Sequence, residues 1–190
     1  RLNHAGAQVN ENGAVVIVRY SQTSQPNIYA VGDVTDRVNL TPVAIREGAA
    51  FAETVFRNNP TAYDHDTIPT AVFSQPPVGS VGLTEPEARR QFGGEVDIYV
   101  ARFRPMKTIF VGSDERVLMK LIVERRSEKI VGCHIVGPDS PEMIQMAAIA
   151  VKLGVTKSQW DSTCALHPTV AEEIVTMREK YTPPELAAAE

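Results

Sequence analysis

The chain has 190 residues, of which 43% are hydrophobic and 22% charged, enough to bury a substantial core in one domain or in one domain plus part of another. Nineteen basic and 23 acidic residues give a formal net charge of -4, which argues against a nucleic acid or an anionic membrane surface as a partner. The apolar stretches are short and interrupted by charge, so we expect a cytoplasmic protein without a membrane span.

The first 62 residues read as the end of a domain. Residues 14–18 and 28–31 are short β-rich runs, and the turn-forming cluster 21–27 separates them. The Pro- and Asp-rich stretch 59–69 has little periodic apolar content. It therefore predicts a boundary, with one domain over residues 1–62 and a second over residues 63–190.

A helix is predicted between these β-rich runs and the boundary. Thr41 is the expected N-cap and Pro42 the expected first helical residue. Asn58, Asn59 and Pro60 would end the helix. Its apolar face is predicted to carry Val43, Ile45, Ala49, Ala52, Val55 and Phe56.

The second part of the chain predicts an antiparallel sheet. A polar turn over 124–129 joins two of its strand-like runs, as in a hairpin. The predicted strands are residues 70–73, 97–103, 117–123 and 130–136. The segment 73–84 is punctuated by Pro and Gly and reads as strand, turn and strand.

Helices are expected to flank this sheet, which predicts the α+β class. Ser140 is the expected cap of a helix that stops at Gly154. This helix would bury Ile144, Ala147, Ala148 and Val151. A short helix opens after Thr84, and a last one starts at Thr169 and carries Ile174, Val175 and Met177 on its apolar side.

A carboxylate and a helix start form the first candidate site. Asp33 follows the second β-rich run, where it could accept hydrogen bonds from sugar hydroxyls of a cofactor. The first turn of the helix at Thr41 presents free N–H groups and a partial positive charge. Taken singly, a turn role for Asp33 and a capping role for Thr41 are the simpler explanations.

His167-Pro168-Thr169, followed by Glu172 and Glu173, forms the second candidate site. Thr169 and Glu172 have the spacing of a capping box, which is a sufficient structural explanation for both. His167 lies two residues before the helix start and close to a carboxylate, so it could also transfer protons near neutral pH. Local patterns favour the capping box over the acid/base role.

Together and in this order, these segments resemble the second half of the pyridine nucleotide-disulfide oxidoreductases, over essentially the whole chain. Residues 27–34 (NIYAVGDV) resemble the second flavin fingerprint, and residues 40–44 (LTPVA) the stretch whose helix start faces the flavin pyrimidine. Residues 73–79 (FSQPPVG) resemble the opening of the interface domain. Residues 167–173 (HPTVAEE) are similar to the C-terminal active-site motif in its glutathione reductase form.

This resemblance implies an α+β dimerisation domain preceded by the last part of a Rossmann-type FAD-binding domain. It implies that FAD contacts Gly32, Asp33 and the backbone at Thr41. Asn39 and Ala71 would lie near positions whose backbone approaches NADPH. The glutathione pocket would be lined by Met106, Ile45 and Glu173.

The same resemblance implies a role for the histidine. His167 would protonate the leaving glutathione thiolate, and Glu172 would orient it. In this family the residue acts across a homodimer, on the disulfide of the partner subunit. The parent protein is then expected to be an NADPH- and FAD-dependent glutathione-disulfide reductase.

Several family features are missing from the 190 residues. They contain neither a Gly-x-Gly-x-x-Gly turn nor a Cys-x-x-x-x-Cys pair. Cys133 and Cys164 are far apart, so we expect two buried, reduced thiols and no metal site. Ala49 stands where some members offer an arginine to the substrate. We therefore expect a fragment of a longer protein, inactive by itself.

Three alternatives remain open at this stage. Dihydrolipoyl dehydrogenase shares the flavin fingerprint and the His-Pro-Thr turn, but usually has a different segment after Gly-Asp and a single acid after His-Pro-Thr. A mercuric reductase would need a terminal cysteine pair, which residues 186–190 lack. The chain could also be a dimerisation module without catalytic activity.

Overall fold

The computed structural model describes residues 2–182 and divides the chain into two compact units. The first unit extends to His65 and the second begins at Asp66. The sequence places the boundary after residue 62, and the identity of the two parts as domains stays a prediction. Residues 183–190, which the sequence assigns to the second domain, lie outside the described residues.

Over residues 2–65, the first unit contains one α-helix and little regular structure besides it. Two short 3-10 helices span Leu2–Ala5 and Gly32–Thr35. The β-rich runs at 14–18 and 28–31 do not become strands, because they form only the isolated bridges Val9↔Val15 and Gln22↔Tyr29. A strand needs a partner along several consecutive residues, whereas each of these runs is bridged to a neighbouring segment at a single residue pair.

The α-helix of the first unit, α1, spans Thr41–Phe56. Leu40 is its N-cap, so Thr41 is the first helical residue and not the cap that the sequence predicts. The predicted apolar face is confirmed at Val43 but is wrong at Ile45 and Phe56, whose side chains are 65% and 76% exposed. The buried stripe consists of Val43, Glu47 and Ala50.

The second unit is built on a five-stranded sheet, which confirms the predicted antiparallel architecture. All neighbouring strands pair antiparallel in the order β1-β2-β5-β4-β3. The strands are β1 Thr70–Val72, β2 Val78–Gly82, β3 Val96–Phe103, β4 Val117–Glu124 and β5 Ile130–Val136. The α+β fold class is therefore confirmed.

Five helices accompany the sheet in residues 66–182, the described part of the second unit. They are α2 Glu85–Gln91, α3 Met106–Phe110, α4 Ser140–Leu153, α5 Lys157–Asp161 and α6 Glu173–Thr176. The predicted buried residues of α4 are confirmed, and its left-handed C-cap is Gly154. Ser140 is not the predicted cap: Asp139 precedes the helix and Ser140 is its buried first residue.

Side chains alternate between the two faces of the sheet, and a hydrophobic core forms on each face. Tyr99 and Leu121 belong to the larger core, which also contains the buried face of α4. Ile98 and Ile122 point to the opposite face and form a smaller core with Ala88 of α2. Within residues 2–182, no helix is long and apolar enough to cross a membrane.

Candidate functional site

The predicted site residues fall into both units, and each group is described by itself. The first unit holds Gly32, Asp33, Asn39, Thr41 and Ile45. The second unit holds Ala71, Met106, His167, Glu172 and Glu173. Within the described range 2–182, no group of three or more His, Cys, Asp and Glu side chains is arranged to hold a metal ion.

Gly32 begins the 3-10 helix and lies directly against α1. Its φ angle is +71°, a conformation that favours glycine. A Cβ atom at this position would lie 2.9 Å from the Cβ of Ala44. The Gly32 N–H donates a 2.6 Å hydrogen bond to Oε2 of Glu47, so this turn is held close to the helix.

Asp33, the second residue of that turn, is exposed. Its carboxylate makes no hydrogen bond with another residue in the range 2–182, so its oxygens can accept hydrogen bonds from a ligand. Asn39 is also exposed, and its Nδ2 donates to Oδ1 of Asp36 at 3.0 Å. The turn therefore fits a hydroxyl-bearing cofactor such as FAD at Asp33.

Thr41 and Ile45 share the exposed face at the start of α1, one helical turn apart. The Leu40 carbonyl accepts hydrogen bonds from the N–H groups of Val43 and Ala44. The N–H of Thr41 has no carbonyl one turn earlier within the helix and is free for an electron-rich ligand atom. This helix start fits the predicted contact with an electron-rich ring.

Ala71 lies in the edge strand β1, opposite Gly79 of β2. Its side chain is half-buried and carries no polar atom. Only its backbone could contact a cofactor, as the sequence predicts. That role stays a prediction.

His167 and Glu172 are hydrogen-bonded to each other. Nδ1 of His167 lies 3.1 Å from Oε1 and 3.2 Å from Oε2 of Glu172. The histidine side chain is 75% exposed, whereas the glutamate side chain is only 15% exposed. Because an ionised carboxylate only accepts hydrogen bonds, the proton of the neutral ring lies on Nδ1 and leaves Nε2 for an external group.

The capping-box explanation holds only in part. The N–H of Glu172 donates to Oγ1 of Thr169 at 3.1 Å, as a capping threonine requires. The Glu172 carboxylate, however, is used for His167. The predicted helix start at Thr169 is wrong, since the helical turn begins only at Glu173.

Next to this pair lies a cleft of about 280 Å³. Met106 and Glu173, both predicted to bind substrate, line the same cleft. Glu173 accepts a 2.9 Å hydrogen bond from Oγ1 of Thr176, which holds its carboxylate in place. Arg104 and Lys107 also line the cleft and bring positive charge to a wall that contains Glu172.

Glu47 is the functional candidate that the sequence pattern does not reveal. Its side chain is 2% exposed, and both Arg37 and His65 approach Oε1 at 2.6 Å. Burial raises the pKa of Glu47, but hydrogen bonds from Gly32 and His65 and the charge of Arg37 outweigh it, and the pKa falls below 4.5. Its spacing in the sequence could have revealed it, because Glu47 lies four residues after Val43 and three before Ala50, on the same face of the helix.

Two family models match the sequence. Residues 68–178 match the pyridine nucleotide-disulphide oxidoreductase dimerisation domain, and residues 1–48 match a pyridine nucleotide-disulphide oxidoreductase. The first match covers the sheet and the His167–Glu172 pair. The second covers the Gly32 turn and the start of α1.

Individual proteins agree with these matches. The chain is 57% identical over 166 residues to a glutathione reductase from Nostoc sp., covering 87% of this chain and 36% of the relative. It is 44% identical over 180 residues to a trypanothione reductase from Leishmania donovani, covering 94% of this chain and 36% of the relative. The chain thus spans about a third of the length of these relatives.

A solved structure shows the same fold. The HOCl-induced flavoprotein disulfide reductase RclA from Escherichia coli superposes with a TM-score of 0.77 and 26% sequence identity. The match covers 92% of this chain and 40% of that structure. The resemblance seen in the sequence motifs is therefore confirmed at the level of the family.

Proposed function

The chain belongs to the pyridine nucleotide-disulphide oxidoreductase family, and we propose that it is the C-terminal part of an NADPH- and FAD-dependent glutathione-disulfide reductase. In this proposal the chain supplies the dimer contact and the acid/base pair of a cytoplasmic homodimer. The observation that carries it is the His167–Glu172 hydrogen bond beside a cleft lined by Met106 and Glu173. The matched dimerisation domain supports the homodimer.

The pair is suited to proton delivery. Cleavage of a disulfide by a thiolate forms one new S–S bond and releases the other sulfur as a thiolate, which needs a proton. His167 would give that proton from Nε2, while the bond from Nδ1 to Glu172 keeps the ring oriented. The exposed position of His167 allows a large disulfide substrate to reach it.

The first unit would contribute to the flavin site. Asp33 would accept hydrogen bonds from hydroxyl groups of FAD, and the N-terminus of α1 at Thr41 would face the flavin ring. Bound FAD supplies the electron transfer that the side chains of this chain cannot perform. Ile45, on the same exposed face as Thr41, would contact substrate.

Substrate choice within the family is the finer part of the proposal. Glutathione disulfide is favoured because a glutathione reductase shares 57% identity with the chain, against 44% for a trypanothione reductase. Arg104 and Lys107 line the cleft together with Glu172 and Glu173, so it offers partners for both the carboxylate and the amino groups of glutathione. The isolated chain is proposed to be inactive, since it contains no Cys-x-x-x-x-Cys pair.

The test is an assay of the full-length parent with NADPH and three separate disulfides. Glutathione disulfide should give the fastest NADPH oxidation, ahead of trypanothione disulfide and lipoamide. Residues 1–190 alone, assayed in parallel, should oxidise no NADPH. Rapid turnover of only one of the other two disulfides would refute the proposed substrate.

A further inference from the structure

We propose that Glu47 is a positioning residue that presents Asp33 to the flavin cofactor. The inference rests on the proposed function, because FAD is the ligand expected at Asp33. Glu47 does not touch that ligand in this proposal. It acts by holding the N–H of Gly32, the residue immediately before Asp33.

The first part of the evidence is a closed ring of hydrogen bonds. The Gly32 N–H donates to Oε2 of Glu47 at 2.6 Å, and Nη2 of Arg37 approaches Oε1 of Glu47 at 2.6 Å. Nε of Arg37 donates to Oγ1 of Thr35 at 3.2 Å. The Thr35 hydroxyl donates to the Gly32 carbonyl at 2.8 Å, so the ring returns to the residue where it began.

Both polar backbone groups of Gly32 are therefore held by side chains. Thr35 and Glu47 are buried, so these hydrogen bonds are shielded from water and gain in strength. The contact between Gly32 and Ala44 closes the remaining side of the turn, since not even a Cβ atom would fit there. The turn has little freedom to rotate.

The position of Asp33 gives this ring a functional meaning. Its carboxylate is exposed and has no hydrogen-bonding partner among the described residues, so no side-chain contact of its own orients it. Its direction depends on the backbone of Gly32 and of the 3-10 helix that follows. A prearranged carboxylate binds hydroxyl groups at a lower entropic cost than a mobile one.

The charge of Glu47 is balanced within the same unit. Arg37 and His65 both face Oε1, and no buried carboxylate is stable without such partners. A buried ion pair is weak evidence for a stabilising role, because desolvation offsets much of the attraction. This favours a role in orientation over one in stability alone.

The experiment is a double-mutant cycle on the full-length enzyme, with FAD dissociation constants measured by fluorescence titration of the apoenzyme. Glu47→Gln should raise the constant about tenfold, since a hydrogen bond to a charged group is lost. Asp33→Asn should also raise it. If Glu47 acts through Asp33, the double variant should be at most about twofold weaker than Asp33→Asn alone.

Additive effects would overturn the inference, because Glu47 would then act independently of Asp33. So would a Glu47→Gln enzyme that binds FAD like the wild type. Should Glu47→Gln fail to fold, Thr35→Val breaks the same ring at its carbonyl side, and its effect should likewise disappear in the Asp33→Asn background. Additivity in that second cycle would count equally against the proposal.

A matched control tests whether the loss of any carboxylate on α1 weakens FAD binding, and the wild type tests whether the parent binds FAD at all. Glu53→Gln changes a carboxylate on the same helix that pairs with Arg57, outside the ring, and should leave FAD binding unchanged. All titrations are made at a temperature where each apoenzyme is folded by circular dichroism. A wild-type parent that binds no FAD refutes the proposed function, whereas normal binding by Glu47→Gln refutes only this inference.

Discussion

At the scale of single residues, the proposed acid/base pair joins an exposed histidine to a largely buried glutamate. Glu172 is largely buried and held, while His167 is exposed and held only through its Nδ1 bond. A fixed carboxylate can therefore orient a ring whose other nitrogen remains free to meet substrate. The side-chain hydroxyl of Thr169 accepts a hydrogen bond from the N–H of Glu172 and so helps to fix the position of the glutamate.

Replacing the histidine should separate the two half-reactions of the full-length enzyme. His167→Ala should slow reduction of glutathione disulfide by about 10²- to 10⁴-fold, because the leaving thiolate loses its proton donor. Flavin reduction by NADPH should be unchanged, and stopped-flow absorbance distinguishes the two steps. Glu142→Gln, an exposed carboxylate on α4, is the control. Equal loss in both half-reactions would contradict the role of His167.

The two cysteines should differ in reactivity. Cys133 is fully buried, as the sequence predicts, and burial raises the pKa of its thiol to about 12. Cys164 is exposed, so the expectation of two buried thiols is wrong for this residue. At about pH 8, iodoacetamide should alkylate Cys164 and spare Cys133 until the chain is unfolded. Mass spectrometry measures both, and early modification of Cys133 would contradict this packing.

At the scale of elements, the contact between α4 and the sheet depends on a glycine in β2. A Cβ atom on Gly79 would lie 2.6 Å from the carbonyl oxygen of Ser140 and 2.9 Å from the Cβ of Ile144. The helix therefore approaches the strand as closely as backbone atoms allow. This close approach also explains why Ser140 is buried.

Gly79→Ala should push α4 away from the sheet. We expect a loss of about 1–3 kcal/mol in the free energy of unfolding, typical of an overpacked core. Urea denaturation of the chain measures it. Gly48→Ala is the control, because a Cβ atom there meets nothing within 4 Å and alanine favours the helix. A Gly79→Ala chain as stable as the wild type would mean that this contact relaxes freely.

A histidine in β5 should make the second unit sensitive to acid. Burial lowers the pKa of His134 from 6.5, with the charge of Lys120 adding to it, although the Leu83 carbonyl and Glu87 act in the opposite direction. The folded ring therefore stays neutral at a pH where the unfolded ring binds a proton. Its contribution to stability is present above pH 6.5 and is lost as the pH falls through the lower folded value.

The variant His134→Gln should remove this pH dependence. Between about pH 7.5 and about pH 5.5, the urea midpoint of the wild type should fall more than that of the variant. Ser80 and Leu83 are the hydrogen-bond partners of the ring, so the variant is also expected to be less stable at the higher pH. Parallel curves for the two proteins would exclude His134 as the titrating group.

At the scale of the whole molecule, the two units differ in how much structure they contain. Among the described residues 2–182, the sheet, both hydrophobic cores and five helices lie in the second unit. The described part of the first unit has one α-helix, with exposed apolar residues such as Ile45 and Phe56. A unit that buries fewer apolar side chains has a smaller hydrophobic core to stabilise it.

Limited proteolysis should therefore leave a fragment that begins close to Asp66. Peptide bonds in the first unit are expected to open more often, because local opening costs less where few apolar contacts hold the backbone. Mass spectrometry of a time course with trypsin would identify the resistant fragment. First cleavage within β3, β4 or β5 would show that the second unit is not the more stable one.

Local patterns in the sequence determine much of this protein. Short strand-like runs predict the strands around 97–103, 117–123 and 130–136, and helical spacing predicts the buried face of α4. The motif at residues 167–173 places a histidine and two carboxylates within reach of one another. These features depend on residues close in the chain, whose geometry the backbone itself sets.

Only the tertiary structure decides which partner each group takes. The runs at 14–18 and 28–31 have strand propensity but no continuous neighbour, and so form isolated bridges. Glu172 could have capped a helix, yet its carboxylate contacts His167. Glu47 is charged in the sequence and buried in the fold, because Gly32, Arg37 and His65 surround it. Pairing, burial and hydrogen bonding between distant residues are properties of the folded chain, and no local pattern contains them.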